Sequence, residues 1–273
     1  MDVFEICFEI NKLLLSKNEV AARNILIRLL ADLDRAQKPY PQVVNHMIRA
    51  TGLFPYLQLA NASWDQKFVH HAFEVDVGHR MATLHREQSN LLAKLLDGKN
   101  IAVSAPTSFG KSFIIDAFIA AKQPNNVVII VPTIALMDET RRRLFKKFSE
   151  NYNIITAPDT KLGAKNILIF PQERAFGYLS ALEHIDLLVV DEFYKVSQKH
   201  DRERAPSLIK AILKLSKKSV QRYYLAPNIK RLSDNAFTRD MEFIELLDFN
   251  TVYLDIEESY KNIDGDTDKK NQN

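Results

Sequence analysis

From residue 84 onward, short apolar runs alternate with amphipathic segments of helical length. This alternation predicts an α/β fold, with a mostly parallel sheet covered by helices on both faces. A helix from Leu84 to Leu96, ended by Gly98, is predicted before the first strand. The predicted strands are Ile101–Ser104, Val127–Val131, Asn153–Thr156, Ile167–Phe170, Leu187–Val190, Tyr223–Ala226 and Thr251–Leu254.

The first 80 residues have a different pattern, typical of a small helical bundle. Ser16 and Glu19 have the spacing of a capping box. Pro39 and Pro41 interrupt the pattern, and a second amphipathic helix is predicted from Val43. The bundle is expected to brace the following domain, although contact with nucleic acid or a partner is an alternative. Four leucines follow the capping box at helical spacing: Leu26, Leu29, Leu30 and Leu33.

These patterns predict three parts: an N-terminal helical region over 1–80, an α/β domain over 81–255, and a polar tail or linker over 256–273. Trp64, His70 and His71 lie near the end of the first part. They have no partners at metal-ligand spacing in the sequence, so packing or surface positions are predicted for them.

Composition narrows the class of protein. A chain with 46% hydrophobic and 26% charged residues is typical of a soluble globular protein. The longest clean apolar stretch, Val127–Val131, is too short to span a membrane, and Met1-Asp2 does not begin a secretory signal. A cytoplasmic location is therefore predicted. Cys7 is the single cysteine, which excludes an intramolecular disulfide, and its amphipathic setting favours a core position.

Candidate chemistry follows the strand Ile101–Ser104. Gly110-Lys111-Ser112 matches the end of the phosphate-binding pattern G-x-x-x-x-G-K-[ST], whereas Ala105 replaces the first glycine. Alanine is compatible with this loop if the position needs no positive φ. Lys111 is expected to contact the β- and γ-phosphates of ATP, and Ser112 to ligate Mg²⁺. The whole predicted nucleotide-binding loop is Ala105, Pro106, Thr107, Ser108, Phe109, Gly110, Lys111 and Ser112.

A pair of carboxylates, Asp191 and Glu192, directly follows the apolar strand Leu187–Val190. Asp191 is predicted to hold Mg²⁺, and Glu192 is available for the attacking water. The alternative is an acid-rich helix start, which the helix dipole favours. Each motif falls at or just after the carboxyl end of a predicted strand, where open α/β sheets bind ligands.

The order of the motifs resembles the first RecA-like lobe of a superfamily 2 DExD/H-box helicase. The similarity covers residues from about 80 to 255. Its motif sequences are closer to those of the larger Ski-type and phage-defence-associated helicases than to those of small DEAD-box proteins. It implies a P-loop fold that uses ATP and Mg²⁺, with Gln88 reading adenine and Glu192 orienting the hydrolytic water. The motifs, in order, are Gln88, the loop 105–112, the segments 131–137, 171–174 and 191–194, and Leu225-Ala226-Pro227-Asn228.

The resemblance also implies contacts to the nucleic-acid backbone. They are assigned to Pro132 and Thr133 and to a second set that follows Pro171, and they do not depend on base sequence. The basic cluster 141–147 is a further candidate for phosphate binding, although a solvated helix face with Leu136, Leu144, Phe145 and Phe148 turned inward is an alternative. The predicted nucleic-acid residues are Pro132, Thr133, Arg142, Gln172, Glu173 and Arg174.

The chain departs from the family pattern in three places. The acidic motif reads Asp-Glu-Phe-Tyr, and the coupling segment reads Leu-Ala-Pro-Asn. Nothing after residue 228 resembles a second lobe. A second RecA-like lobe, in cis or on a partner subunit, is therefore expected to complete the helicase. A net charge of +3 is too small to indicate nucleic acid by itself.

The leading hypothesis is the ATP-binding lobe of a nucleic-acid-dependent ATPase or helicase, weak or inactive alone. One alternative is a nucleotide-gated nucleic-acid-binding module with little hydrolysis. Another is a translocase subunit of a restriction or phage-defence complex. Phosphoryl-transfer enzymes gain about 10³–10⁵ in rate from an arginine supplied in cis or in trans. The presence or absence of a partner lobe therefore separates the first two hypotheses.

Overall fold

The computed structural model describes residues 2–158, 160–178, 182–197, 201–227 and 229–252. Four helices form the N-terminal part: α1 (Val3–Leu15), α2 (Glu19–Arg35), α3 (Gln42–Thr51) and α4 (Trp64–Ala72). A hairpin of β1 (Glu74–Asp76) and β2 (Met81–Thr83) follows. The hairpin leads into the helix α5 (Arg86–Leu96), which carries Gln88.

A single seven-stranded sheet organises the remaining chain. Its strands are β3 (Ile101–Ser104), β4 (Asn126–Val131), β5 (Asn153–Ile155), β6 (Asn166–Pro171), β7 (Ile185–Val190), β8 (Ser219–Ala226) and β9 (Glu242–Glu245). The helices between them are α6 (Lys111–Lys122), α7 (Ile134–Phe148), α8 (Ala175–Tyr178) and α9 (Ala205–Ser216). Every pairing in this sheet is parallel, in the order β5-β6-β4-β7-β8-β3-β9. The predicted α/β class is confirmed.

Both faces of the sheet are buried, which explains why its strands are continuous apolar runs. On β7, Val189 faces a core shared with the N-terminal helices, α5 and α6, whereas Val190 faces a second core shared with α9. Neighbouring strands alternate in the same way, so the parallel sheet separates two packed layers. Burial on both faces stabilises the strand ends that carry the predicted motifs.

The N-terminal helices pack directly against the sheet domain. The Arg23 guanidinium lies 4.2 Å from the centre of the Phe249 ring and donates to the carbonyl of Asp248 at 3.2 Å. Arg86 forms an ion pair with Glu19 at 2.6 Å. Side chains of α1, α2 and α3 belong to the same hydrophobic core as β3, β4 and β7, and Val69 of α4 packs against it. These contacts fit the predicted bracing role, while the boundaries at 80 and 255 stay predictions.

Six predicted strands are confirmed, with ends that differ by up to four residues. The seventh prediction, Thr251–Leu254, is wrong in its described part, because Thr251 and Val252 are not in a strand, and residues 253–273 lie outside the described residues. The edge strand is β9, whose Phe243 and Ile244 are only partly buried. Two adjacent apolar residues between glutamates gave too weak a pattern to predict it.

Two local predictions in the helices are also wrong. Ser16 ends α1 and donates to the carbonyl of Leu13, whereas Asn18 caps α2 by accepting from the N–H of Ala21 at 3.2 Å. Asn18 lies directly before α2, so its carboxamide reaches the first turn. Phe145 is 54% exposed rather than turned inward, although Leu144 and Phe148 are buried.

The predictions for three further side chains have mixed outcomes. Cys7 is buried, as predicted. Trp64 lies on the surface and is 78% exposed. His70 and His71 do have a partner at ligand distance, Glu74, which the fold brings beside both. Among the described residues, no helix is both long and apolar enough to cross a membrane.

Candidate functional site

The loop after β3 ends in a compact turn directly before the helix α6. Thr107–Phe109 forms one 3-10 turn, and Gly110 has φ +76° in the left-handed region. A Cβ on Gly110 would lie 3.1 Å from Nε2 of Gln88, so both backbone conformation and space favour glycine here. Ala105 is buried and is absent from the positive-φ residues, so the condition for replacing the first glycine is met.

Lys111 begins α6 and closes the loop. Its ammonium donates to the carbonyls of Ala105 at 2.6 Å and Pro106 at 2.9 Å. Burial lowers the pKa of Lys111, and the nearby carboxylate of Asp191 partly opposes this shift. Without nucleotide, the ammonium is therefore half-buried and satisfied by backbone oxygens. A nucleotide phosphate would compete with these two carbonyls for the same charge.

Asp191 and Glu192 stand at the carboxyl end of β7, which is separated from β3 and its loop by one strand, β8. The N–H of Asp191 donates to the carbonyl of Ile130, and one carboxylate oxygen of Asp191 accepts from the N–H of Glu192 at 2.8 Å. Burial raises the pKa of Asp191, and the hydrogen bond from the N–H of Glu192 opposes this rise. The charge of Glu192 raises the pKa further, whereas Lys111 and Arg143 lower it. The fold thus holds a carboxyl group in a place where a cation would stabilise its charged form.

Glu192 has an unusual backbone conformation. Its φ of 49° and ψ of 43° lie in the left-handed region, which costs a residue with a Cβ about 1 kcal/mol or more. Its carboxylate is paired with Lys195 at 2.5 Å. Glu192 immediately precedes the 3-10 helix Phe193–Val196. Lys17, Gln37 and Gln123 have the same kind of backbone conformation, so the role of Glu192 stays a prediction.

One cleft brings the two motifs together. It has a volume of about 340 Å³ and is lined by Lys111 and Ser112 from α6 and by Asp191 and Glu192 from β7. Pro227, from the coupling segment after β8, lines the same cleft, whereas Asn228 lies outside the described residues. The first N–H groups of α6 have no carbonyl partner within the helix, and the positive end of its dipole favours an anion there.

Gln88 braces the loop rather than lying open to solvent. It is 7% exposed, its Oε1 accepts from the N–H of His85 at 2.9 Å, and its Nε2 donates to the carbonyl of Phe109 at 2.6 Å. One amide hydrogen and one acceptor lone pair are left over. Adenine recognition by Gln88 stays a prediction, and the observed contacts hold the nucleotide-binding loop in shape.

The predicted nucleic-acid residues all follow β4 or β6, two adjacent strands. Thr133 caps α7 by accepting from the N–H of Leu136 at 3.2 Å, and the side chain of Gln172 is buried and donates to Glu173. Glu173 in turn is paired with Arg204 at 2.7 Å. The exposed cations of this set are Arg142 and Arg174. The strands β4 and β6 are paired, so the residues that follow them lie on the same edge of the sheet: Pro132, Thr133, Gln172 and Glu173. Their contacts to nucleic acid stay a prediction.

Sequence reasoning missed a buried ion-pair group under the loop. Asp116, 1% exposed on α6, accepts from Arg143 and from Lys147 on α7, the latter at 2.7 Å. Arg143 also donates to the carbonyl of Ser112 at 3.2 Å and lines the cleft. Asp116 lies one helical turn after Ser112, and a lone carboxylate in an apolar helix was the available signal. This group fixes α7 against the start of α6.

Tyr223 is a second buried neighbour that the sequence did not indicate. It is fully buried on β8, opposite Val189 of β7, and its hydroxyl has no hydrogen-bond partner within the described residues. Burial raises the pKa of Tyr223, and the charge of Asp191 adds to this rise. Tyr223 therefore stays a neutral phenol at the base of the acidic motif.

Comparison with known proteins identifies the family of the chain. The family model of the DEAD/DEAH box helicases matches residues 85–226, just over half of the chain. The chain belongs to the DEAD/DEAH box helicase family. The match begins at His85, beside Gln88, and ends at Ala226 on β8, so it contains the nucleotide-binding loop and the acidic motif.

The helical region before this helicase segment also has a relative. The family model of the anti-bacteriophage protein B N-terminal domain matches residues 1–67. Anti-bacteriophage protein B of Escherichia coli strain K12 is 32% identical over 267 residues, which are 93% of this chain and 36% of that protein. The chain thus spans about a third of the length of this curated relative.

Solved helicase structures are more distant from this chain. The helicase MrfA bound to DNA has a TM-score of 0.47 at 18% identity, over 61% of this chain and 28% of its own. The UvsW helicase from bacteriophage T4 has a TM-score of 0.45 at 14% identity, over 67% of both chains. Likenesses at this level carry no argument about the site.

Proposed function

We propose that this chain is the ATP-binding lobe of a nucleic-acid-dependent ATPase of the helicase type. The observation that carries the proposal is the cleft that joins Lys111 and Ser112 to Asp191 and Glu192. A cation, a hydroxyl and two carboxylates at the N-terminus of a helix are the groups that phosphoryl transfer to water requires. Family membership agrees with this chemistry.

The residues present fit Mg²⁺ and a nucleoside triphosphate. Ser112 and Asp191 offer hard oxygen ligands, which Mg²⁺ prefers. Bound Mg²⁺ would neutralise charge on the phosphates. Lys111 would exchange its two carbonyl partners for phosphate oxygens, and the N–H groups of the loop and of α6 would cradle them. Glu192, once separated from Lys195, would orient the attacking water and accept its proton.

The test is a titration of the chain with ATP, with and without Mg²⁺, at several pH values. Asp191 must lose its proton before it can ligate a metal. Since burial raises its pKa, Mg²⁺-dependent affinity should increase with pH through a range above that of an ordinary carboxyl group. Asp191→Asn should remove this pH dependence. Failure to bind Mg²⁺–ATP at any pH would contradict the proposal.

Nucleic acid is proposed to lie along the edge after β4 and β6, held by Pro132, Thr133, Arg142 and the segment 172–174. The support is their common position beside the cleft and the exposed cations among them. Their contacts would be to phosphates, so binding should be weak for one lobe and should fall with salt. A second RecA-like lobe is proposed as the partner that completes this track.

Two adjacent arginines of α7 should separate nucleic-acid binding from nucleotide binding. Arg142 is 70% exposed and paired only with Asp138 in the described part of the chain, so Arg142→Gln should weaken nucleic-acid binding and lower the salt slope by about 1. Arg143→Gln leaves Asp116 with one cation and loosens Ser112, so it should lower the melting temperature and ATP affinity. Fluorescence anisotropy with single-stranded DNA and ATP titrations distinguish the two. Equal effects of both variants in both assays would contradict this division.

A hydrolysis-poor binding module is the second candidate. The observation that favours it is the Glu192–Lys195 ion pair, which occupies the carboxylate that hydrolysis requires.

We also propose a role in phage defence, supported by similarity to anti-bacteriophage protein B. Phage plating on cells carrying the whole gene, with Lys111→Ala or Glu192→Gln, tests it. Protection that survives both substitutions would show that ATP binding and hydrolysis at this site are not needed for defence.

A further inference from the structure

A cluster of four polar side chains lies outside the nucleotide cleft, where the helix α4 meets the hairpin β1–β2: His70, His71, Glu74 and Thr83. His70 and His71 occupy the last turn of α4, and Glu74 begins β1 two residues after the helix ends. Thr83 on β2 is the direct cross-strand partner of Glu74, so both side chains lie on one face of the hairpin. The end of α4 lies beside that face.

The polar atoms of the cluster converge on one point. The carboxylate oxygens of Glu74 lie 3.6 Å from Nδ1 of His70 and 3.0 Å from Nδ1 of His71. One potential ligand atom from each residue lies within 4.8 Å of the other two. Ligand atoms around a tetrahedral Zn²⁺ are about 3.3 Å apart, given bonds of about 2.0–2.1 Å. The three ligand atoms lie within 4.8 Å of one another, so side-chain rotation would have to bring them closer for all three to bind one ion.

The chemistry of the three groups suits a borderline-soft divalent metal ion. Two imidazoles and one carboxylate form a ligand set that Zn²⁺ takes with water in the fourth position. The last turn of a helix presents unpaired carbonyls and a negative dipole end, which favour a cation. Glu74 adds a full negative charge at the same place.

Thr83 contacts the His70 ring from the neighbouring strand. Its Oγ1 lies 3.0 Å from Nε2 and 3.4 Å from Nδ1 of His70, and Nδ1 lies 3.6 Å from a carboxylate oxygen of Glu74. The side chain of His70 is 14% exposed. A neutral imidazole offers a lone pair to a metal. His71, 61% exposed, leaves the site open to solvent.

We propose that His70, His71 and Glu74 form a binding site for Zn²⁺ or a similar divalent ion, with Thr83 positioning the His70 ring. The site ties α4 to the hairpin β1–β2. That hairpin packs closely on the sheet domain, because a Cβ on Gly78 at its turn would lie 2.7 Å from the Phe148 ring. Since His70, His71 and Glu74 lie within five consecutive residues, bound metal would fix the end of α4 against the start of β1. The proposal goes beyond the proposed function and does not depend on it.

The test uses the full chain, stripped of metal with a chelator and kept free of nucleotide. Calorimetric titration with Zn²⁺ should show one saturable site, and Zn²⁺ should raise the melting temperature. His71→Ala and Glu74→Gln should each reduce the affinity by more than the roughly 10–100-fold that loss of an outer partner costs. Thr83→Val should reduce it by about 10-fold. Co²⁺ bound in place of Zn²⁺ should give a visible spectrum that His71→Ala removes.

His46→Ala is the matched control, because His46 is exposed on α3 outside the cluster. It should bind Zn²⁺ like the unchanged chain. His71 and Glu74 are not buried, so their variants should fold, which melting of the metal-free proteins verifies. The proposal would be overturned if the chain showed no saturable Zn²⁺ binding, or if His71→Ala and Glu74→Gln bound Zn²⁺ as tightly as the unchanged chain. The three residues would then form only an ion-paired cluster. Either result is independent of ATP binding.

Discussion

Lys111→Ala should abolish measurable ATP binding while the protein stays folded. The ammonium is the only cation of the loop 105–112, and each charge-assisted hydrogen bond to a phosphate contributes about 1.5–3 kcal/mol. Loss of two such bonds weakens the affinity on the order of 100-fold or more. The substitution also removes the bonds to the carbonyls of Ala105 and Pro106, so stability should fall by about 1–2 kcal/mol.

The measurement is an ATP titration alongside thermal melting of the nucleotide-free protein. Lys122→Ala is the control, because Lys122 is an exposed lysine at the other end of the same helix α6. It should change neither result. A folded Lys111→Ala protein that binds and hydrolyses ATP as before would show that the loop after β3 does not bind phosphate.

The strands of the sheet could be predicted because burial on both faces makes them uninterrupted apolar runs. Val127–Val131 and Leu187–Val190 are examples, and both lie within observed strands. The edge strand β9 could not, since Phe243 and Ile244 are flanked by glutamates and only half-buried. Ser16 illustrates a different difficulty. It was predicted to cap the second helix, but α1 extends to Leu15, so Ser16 ends α1 and Asn18 caps α2.

The candidate site was predictable where it depends on neighbouring residues and unpredictable where it depends on packing. The loop before Lys111 and the pair after β7 follow from local patterns and from the rule that parallel strands present their carboxyl ends at one edge. The ion pairs of Asp116 with Arg143 and Lys147 join residues 27 and 31 positions apart on two helices. Only the packing of α6 on α7 reveals them.

The histidine pair shows the same limit at shorter range. His70 and His71 have Glu74 three to four residues away, yet the helix ends between them, so helical spacing alone did not place the carboxylate. Thr83 reaches the cluster through the pairing of β1 with β2. The backbone of Glu192 is similar, because a left-handed glutamate has no sequence signal distinct from any other acid after a strand.

Glu192→Gln should leave Mg²⁺–ATP binding within a few-fold of the unchanged protein and reduce hydrolysis by at least about 100-fold. The amide keeps the size of the side chain and removes the basic oxygen, while Asp191 and Ser112 stay available to the metal. The assay measures steady-state phosphate release, with and without single-stranded nucleic acid, in the longest form of the protein that hydrolyses ATP. Glu150→Gln, an exposed substitution after α7, is the matched control.

The ion pair of Glu192 with Lys195 supplies the decisive comparison. If Glu192 served only to anchor the turn after β7, Lys195→Met would remove the same contact and would have the same effect on hydrolysis. If Glu192 orients the water, Lys195→Met should leave turnover intact or raise it, because the carboxylate is released from its partner. Melting curves of both variants should be similar, since each loses one partly exposed ion pair. Near-normal hydrolysis by Glu192→Gln, or equal losses in the two variants, would reduce Glu192 to a structural residue.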